Sequence, residues 1–195
     1  MTVYRTLLAL VAVGLTTTAG ANSLISPGPQ DKIARSTLAA SPAYEWNKLR
    51  YRGGKNVEIW TVDGDELNKV TFYGAIPVGQ PIFREADKKN APLPRVTANM
   101  LITDIPTLLE STYRVQLNTS QMSIDSQEPA LVAGHKGVKF TYSFVRQDDE
   151  VQRKGEAVGA VVGDRLYLVT YEAPAIHFFD KDVEKFRQLV TTLKM

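Results

Sequence analysis

The last third of the chain constrains the fold most. VKFTYSFV (138–145) alternates apolar and polar residues with a period of two, placing Val138, Phe140, Tyr142 and Phe144 on one side and Lys139, Thr141 and Ser143 on the other. That is the pattern of a strand with two different faces. VQRKGEAVGAVV (151–162) and LYLVTYEA (166–173) follow, separated by the turn signals RQDDE and VGDR. Connections this short join antiparallel neighbours, because parallel strands need a crossover of a dozen residues or more. The chain therefore contains an antiparallel meander, and its apolar face must be covered. Gly155 and Gly159 inside the middle run mark bulges or places where a helix comes close.

Two segments have the period of a helix. TDIPTLLESTYRVQ carries an apolar stripe at Ile105, Leu108, Leu109, Thr112 and Tyr113, with Thr103 as the expected cap and Pro106 tolerated in the first turn. DKDVEKFRQLVTTLKM places Val183, Phe186, Leu189, Val190 and Leu193 on one side, with Asp180 as the expected cap. Both helices are expected on the same face of the sheet. Earlier in the chain, KNVEIWTVDGDELNKVTFYGAI reads as a hairpin around VDGDE, and QMSIDS and PALVAG read as two short strands. The fold class is α+β: one antiparallel sheet packed with helices.

At the amino terminus, MTVYRTLLALVAVGLTTTAGA has the form of a secretory signal peptide. Arg5 precedes an apolar run from Leu7 to Leu15, and Ala19, Gly20 and Ala21 supply small residues for cleavage. The run is too short for the ~30 Å hydrocarbon core of a bilayer. The expected division is a leader over 1–21, a flexible Ser/Ala/Pro-rich arm over 22–43, and one domain over 44–195, anchored by Tyr44, Trp46 and Leu49. Cleavage near Ala21 places the protein in the periplasm or outside the cell.

The chain of 195 residues has no cysteine, which excludes disulfides, thiolate nucleophiles and cysteine zinc sites. Its formal net charge is +2, so the overall balance gives no argument for nucleic acid. RGGKN and VAGHKG are short and basic but are not phosphate-binding loops. READKK lies in PVGQPIFREADKKNAPLP, a long Pro-rich, charged connection of a kind often mobile or functional.

Candidate chemistry is sparse. His177 stands beside Phe178 and Phe179, with Asp180 and Asp182 following; a metal site there would need His135 from a distant strand. The plain alternative is that His177 ends a strand. Ser111 and Ser143 lie within elements and lack a nucleophile elbow. Asp63, Asp65 and Glu66, like Asp148, Asp149 and Glu150, read as solvated turns more readily than as a glycosidase pair. Tyr167 and Tyr171 share a side of the last strand, either in the core or lining a ligand groove. Tyr167, Tyr171 and His177 are thus the weak ligand or interface candidates. No catalytic residue, metal ligand or cofactor is assigned.

The order hairpin, long connection, helix, meander, final helix resembles the PsbP/Mog1-type α-β-α sandwich. GVKFTYSFVRQDDEVQRKGEAVGAVVGDRLYLVTYEAP and FFDKDVEKFRQLVTTLKM carry the resemblance. YEWNKLRYRGGKNVEIWTVDG, LPRVTANM and GDRLYLVTYEAPAIHFF also resemble an exported bacterial family of unassigned role. The superfamily resemblance implies an accessory or docking protein and supplies no catalytic residue. Some members are linked to metal ions, and the photosynthetic subgroup binds photosystem components. The function expected is a soluble, non-catalytic accessory protein binding an envelope partner or a peripheral membrane assembly. Docking would use the sheet edge, the 77–98 connection or the arm. The alternative is a periplasmic small-molecule or lipid-binding protein with that connection as a lid.

Overall fold

The computed structural model describes residues 22–51, 53–119, 121–147 and 149–195. The expected leader lies outside them. One antiparallel sheet of eight strands organises the described chain, in the order β1-β2-β3-β4-β8-β7-β6-β5. The strands are β1 (Ser23–Ile25), β2 (Trp46–Lys48), β3 (Val57–Thr61), β4 (Lys69–Pro77), β5 (Met122–Val132), β6 (His135–Arg146), β7 (Asp149–Val162) and β8 (Arg165–Pro174). Two helices, α1 (Asp104–Gln116) and α2 (Phe178–Thr191), pack against it.

The meander forms as the alternation predicts. Tyr142 pairs with Gly155, and Gly155 with Glu172, so β6, β7 and β8 lie side by side. The apolar side of β6 (Val138, Phe140, Tyr142, Phe144) packs with Ile105, Leu108, Leu109 and Tyr113 of α1. Across the sheet, Phe179, Val183, Phe186 and Leu189 of α2 pack with Val158, Tyr167, Val169 and Tyr171. The helices thus cover opposite faces, not the single face expected. Strand parity explains why: β7 and β8 are buried on both sides, and a two-sided core needs two covers.

The segment 22–43, expected as a flexible arm, is packed. Ser23–Ile25 pairs with Trp46–Lys48. Ile33, Ala34 and Leu38 join the α2-side core beside Val70 and Phe72. Each large apolar side chain buried this way contributes ~1.5–3 kcal/mol. The Ala34 N–H donates to Glu58 Oε2 at 3.2 Å, and Ala39 bridges Lys194. Its short, irregular apolar positions have no period, and only the presence of an uncovered sheet face makes their burial favourable. Trp46 and Leu49 are buried anchors, whereas Tyr44 is exposed.

Three local expectations are corrected. Thr103 occupies the cap position of α1 but makes no side-chain capping bond; Asp104 Oδ2 instead accepts the Leu101 N–H at 2.9 Å. The cap position of α2 is His177, not Asp180, which sits in the first turn, where its charge suits the positive end of the helix. QMSIDS and PALVAG are one strand, β5, with a register shift between Ile124 and Ser126.

The two glycines of β7 are places of close approach. A Cβ on Gly159 would lie 3.0 Å from Ile105 Cγ2 of α1. A Cβ on Gly155 would lie 2.1 Å from Cζ of the Tyr142 ring, inside the ring's own space. Gly155 therefore lets Tyr142 lean across β7, and its O–H reaches Glu172 Oε1 at 2.7 Å.

Candidate binding groove

The 77–98 connection is neither a loose tether nor a lid. Its ends are tied by Gly79 N–H to Val96 O at 2.8 Å and Val96 N–H to Gln80 O at 3.0 Å. Glu85 is its internal hub. Its carboxylate accepts both contacts of Arg95 Nη2, at 2.9 and 2.8 Å, and the Leu93 N–H at 3.2 Å. Arg95 also donates through Nη1 to Gly79 O at 2.8 Å. Asp87 closes a tighter turn by accepting the N–H groups of Lys89 and Asn90. Ile82, Leu93 and Val96 are buried beneath. Phe83 packs edge-on between Tyr73 and Tyr113, at 5.5 and 5.7 Å between ring centroids. A loop with this many internal bonds and apolar anchors is a fixed wall.

That wall stands against RGGKN. Arg84 N–H donates to Gly53 O at 2.6 Å, and a Cβ on Gly54 would press on Val57 Cγ2 at 3.1 Å. The chain can cross there because no side chain intervenes. Between the wall, the turn before β3 and the ends of β4 and β8 lies a groove of about 890 Å³. Its lining includes Lys55, Asn56, Pro77, Pro81, Phe83, Arg84, Lys88 and Arg165. Lys55, Arg84, Lys88 and Arg165 are all exposed.

The charge balance of the groove is one-sided. Among the described residues, the side chains of Lys55, Arg84 and Lys88 have no acid partner or hydrogen bond. Arg165 has one, its neighbour Asp164, at 3.2 Å with both groups well exposed. The single acid of the lining, Glu85, is already neutralised by Arg95. Several other cations among the described residues are spent internally: Arg187 on Glu156, Lys185 on Asp182, Lys48 on Glu58, and Arg153 on Glu66 and Asp149.

The residues singled out from sequence are placed elsewhere. Tyr167 and Tyr171 lie in the α2-side core. The Tyr167 hydroxyl meets Thr37 Oγ1 at 2.9 Å, and the Tyr171 hydroxyl donates to Phe178 O at 3.1 Å. Burial, with nearby Asp182, pushes the Tyr171 hydroxyl well above the ordinary tyrosine range. His177 is exposed at φ 68°, its ring edge-on to Phe178 at 5.3 Å. His135 begins β6 and His177 follows β8. These strands run parallel to each other, so the two histidines are separated by nearly the length of the sheet, ~30 Å at 3.3 Å per residue. Asp182 is fully buried, accepting Asn68 Nδ2 at 3.0 Å and paired with Lys185 at 2.7 Å. No group of three or more metal-ligating side chains occurs among the described residues.

A second polar cluster lies under α1 and is sealed. Glu172, 1% exposed, accepts the hydroxyls of Tyr113 and Tyr142 and pairs with Lys69 at 3.1 Å. Desolvation and the Glu172 charge hold both tyrosines protonated far beyond their usual range. A carboxylate in such a place would be very costly without these donors. The cluster fixes β4, β6, β8 and α1 to one another, and it has no opening for a substrate.

The sheet edges are poor docking sites. β5 carries Pro129, Glu128 and a register shift, all of which discourage strand addition, and β1 has only 3 residues. Among the described residues no helix is long and apolar enough to cross a membrane.

No protein-family model matches the sequence, and no curated protein sequence matches it. Among solved structures, cyanobacterial PsbP (CyanoP) from Synechocystis sp. PCC 6803 is similar at 13% identity, over 94% of this chain and 98% of that one, with a TM-score of 0.55. The Saccharomyces cerevisiae Ran-binding protein Mog1p is similar at 8% identity over 88% of this chain and 94% of that one, with a TM-score of 0.47. LpqN of Mycobacterium tuberculosis, described as involved in cell envelope biogenesis, is similar at 10% identity over 92% and 86%, with a TM-score of 0.32. The protein has the α+β fold of cyanobacterial PsbP, as its strand and helix order implies. The likeness is one of fold.

Proposed function

We propose that this protein is an exported, non-catalytic accessory protein that binds a protein partner in the bacterial envelope through the face bearing the basic groove. The groove is the observation that carries this reading. Among the described residues three of its cations lack an acid partner, two of them, Arg84 and Lys88, on a wall that is internally braced. Exposed cations cost little by themselves, but several on one concave surface create a field that draws an anionic partner. Export is supported by the form of residues 1–21, and the accessory role by the resemblance to the PsbP/Mog1-type fold. The aromatic residues behind the small-molecule or lipid reading lie in the closed core and offer such a ligand no wall.

Gentle crosslinking in intact cells, followed by purification from the periplasm, tests the proposal. The expected result is a mature chain beginning near Asn22 and one stoichiometric crosslinked partner. A chain that stays in the cytoplasm with its leader, or a strictly monomeric periplasmic protein, overturns it.

A further inference from the structure

We infer, building on the accessory-protein reading, that the groove seats an extended acidic segment of the partner polypeptide, with carboxylates meeting Lys55, Arg84, Lys88 and Arg165. Charge complementarity is the first ground. The lining offers four exposed cations, and its one acid, Glu85, is held by Arg95 at 2.8 Å. An occupant that supplied no negative charge would leave the cations unanswered, and one with positive charge would be repelled.

Shape is the second ground. The cations come from three separate parts of the chain: the turn before β3, the braced connection and the start of β8. They ring a groove of about 890 Å³, near the upper end of the ~300–1,000 Å³ typical of small-molecule sites. One phosphate or carboxylate would fill a small part of it and answer few of the cations. An extended chain answers several at once, and its backbone can lie over the half-buried Pro77 and Pro81.

Other polyanions fit less well. Single-stranded nucleic acid binds on aromatic platforms as well as cations. The lining has one aromatic, Phe83, packed edge-on with Tyr73 and Tyr113, and a single ring does not make a platform for successive bases. An acidic membrane would meet a protruding basic surface more readily than a concave one.

The probe is a fluorescein-labelled peptide of alternating glutamate and glycine, about ten residues long, which spans ~30 Å when extended. It is titrated by fluorescence anisotropy against the protein purified from periplasm. Binding is expected at low salt and should weaken strongly by about 0.5 M salt, where the screening length falls to a few ångströms. The triple variant Lys55→Glu, Arg84→Glu, Lys88→Glu should lose roughly tenfold or more, since three exposed pairs turn from attractive to repulsive. Lys154→Glu, outside the groove, should bind as the wild type does. All the altered side chains are exposed, so an unchanged thermal melt verifies folding.

No peptide binding, or binding that the triple variant retains, overturns the inference. So does a stronger response to inorganic phosphate, phosphatidylglycerol vesicles or oligothymidylate that the same substitutions abolish. The crosslinking experiment separates the two readings. A partner captured equally by the wild type and the triple variant leaves the accessory role standing and removes the groove from it. If the wild type captures none, the accessory role falls, and the peptide titration still decides the chemistry of the groove.

Discussion

Gly155→Ala tests the packing logic of the sheet at one point. The new methyl would lie 2.1, 2.4 and 2.5 Å from three atoms of the Tyr142 ring, against the ~3.5–4.0 Å of a normal carbon contact. Relief requires the ring to move by more than an ångström. Tyr142 is fully buried, stacked with Phe144 at 6.1 Å and bonded to Glu172 at 2.7 Å. Its strand is held by pairing with β5 and β7. Overpacking of this kind costs ~1–3 kcal/mol. Losing the bond to a buried carboxylate adds ~1.5–3 kcal/mol. Replacing glycine in a strand returns up to ~1 kcal/mol of chain entropy. The net loss is about 3 kcal/mol, or ~10 °C in Tm for a domain of this size. Thermal denaturation followed by circular dichroism measures it. In a Tyr142→Leu background the methyl has room, so the same substitution should be nearly neutral, giving a coupling of ~2–3 kcal/mol in the double-mutant cycle. A fall of less than ~2 °C for Gly155→Ala alone, or additive effects of the two changes, would refute the account of Tyr142 leaning across β7.

Two further predictions concern the N-terminal segment and pH. Leu38 is fully buried, so Leu38→Ala should cost ~2–5 kcal/mol in chemical denaturation; a change within ~0.5 kcal/mol would return residues 22–43 to the status of a loose arm. The Arg146 guanidinium bonded to Glu66 holds that carboxyl below its ordinary range, and Lys181 bonded to Asp63 at 2.6 Å does the same there. Because both folded-state values are depressed, their stabilisation is complete above the unfolded value near ~4 and is lost as pH falls through the folded one. Glu66→Gln should therefore lower Tm at neutral pH, and the gap to the wild type should shrink as acid protonates Glu66 in the folded protein; a gap of constant size across that range would show that charge pairing is not the cause.

The legible part of the fold was local and periodic. Alternation in VKFTYSFV made β6 a two-faced strand, and the stripe Ile105, Leu108, Leu109, Thr112 and Tyr113 made α1 a helix with one buried side. The two glycines of β7 were legible in part: a helix does come close at Gly159, through Ile105, but at Gly155 the close neighbour is the Tyr142 ring of the adjacent strand, which the pattern of β7 alone does not reveal.

The candidate site was legible only in part. The 77–98 connection stood out as a docking element, but RGGKN read only as a basic stretch without a phosphate-loop pattern, and Arg165 as part of a turn. Only Arg84 N–H on Gly53 O, the bracing of Glu85 by Arg95, and the pairing of Pro77 with Arg165 bring them to one rim. His177 and the two tyrosines drew attention because rare or aromatic residues are conspicuous in sequence, but conspicuousness carries no information about position.

By itself, then, the sequence determined the central hairpin and meander strands, both helices, the absence of cysteine chemistry and a leader-like amino terminus, since each depends on residues within one or two turns of chain. Tertiary structure alone decided that the helices take opposite faces, that residues 22–43 complete the core, and that Glu172 finds two tyrosines and a lysine. It also decided that four cations far apart in sequence share one groove. These outcomes depend on which surfaces remain uncovered and which charges remain unpaired after the sheet has formed, and no stretch of sequence encodes that remainder locally.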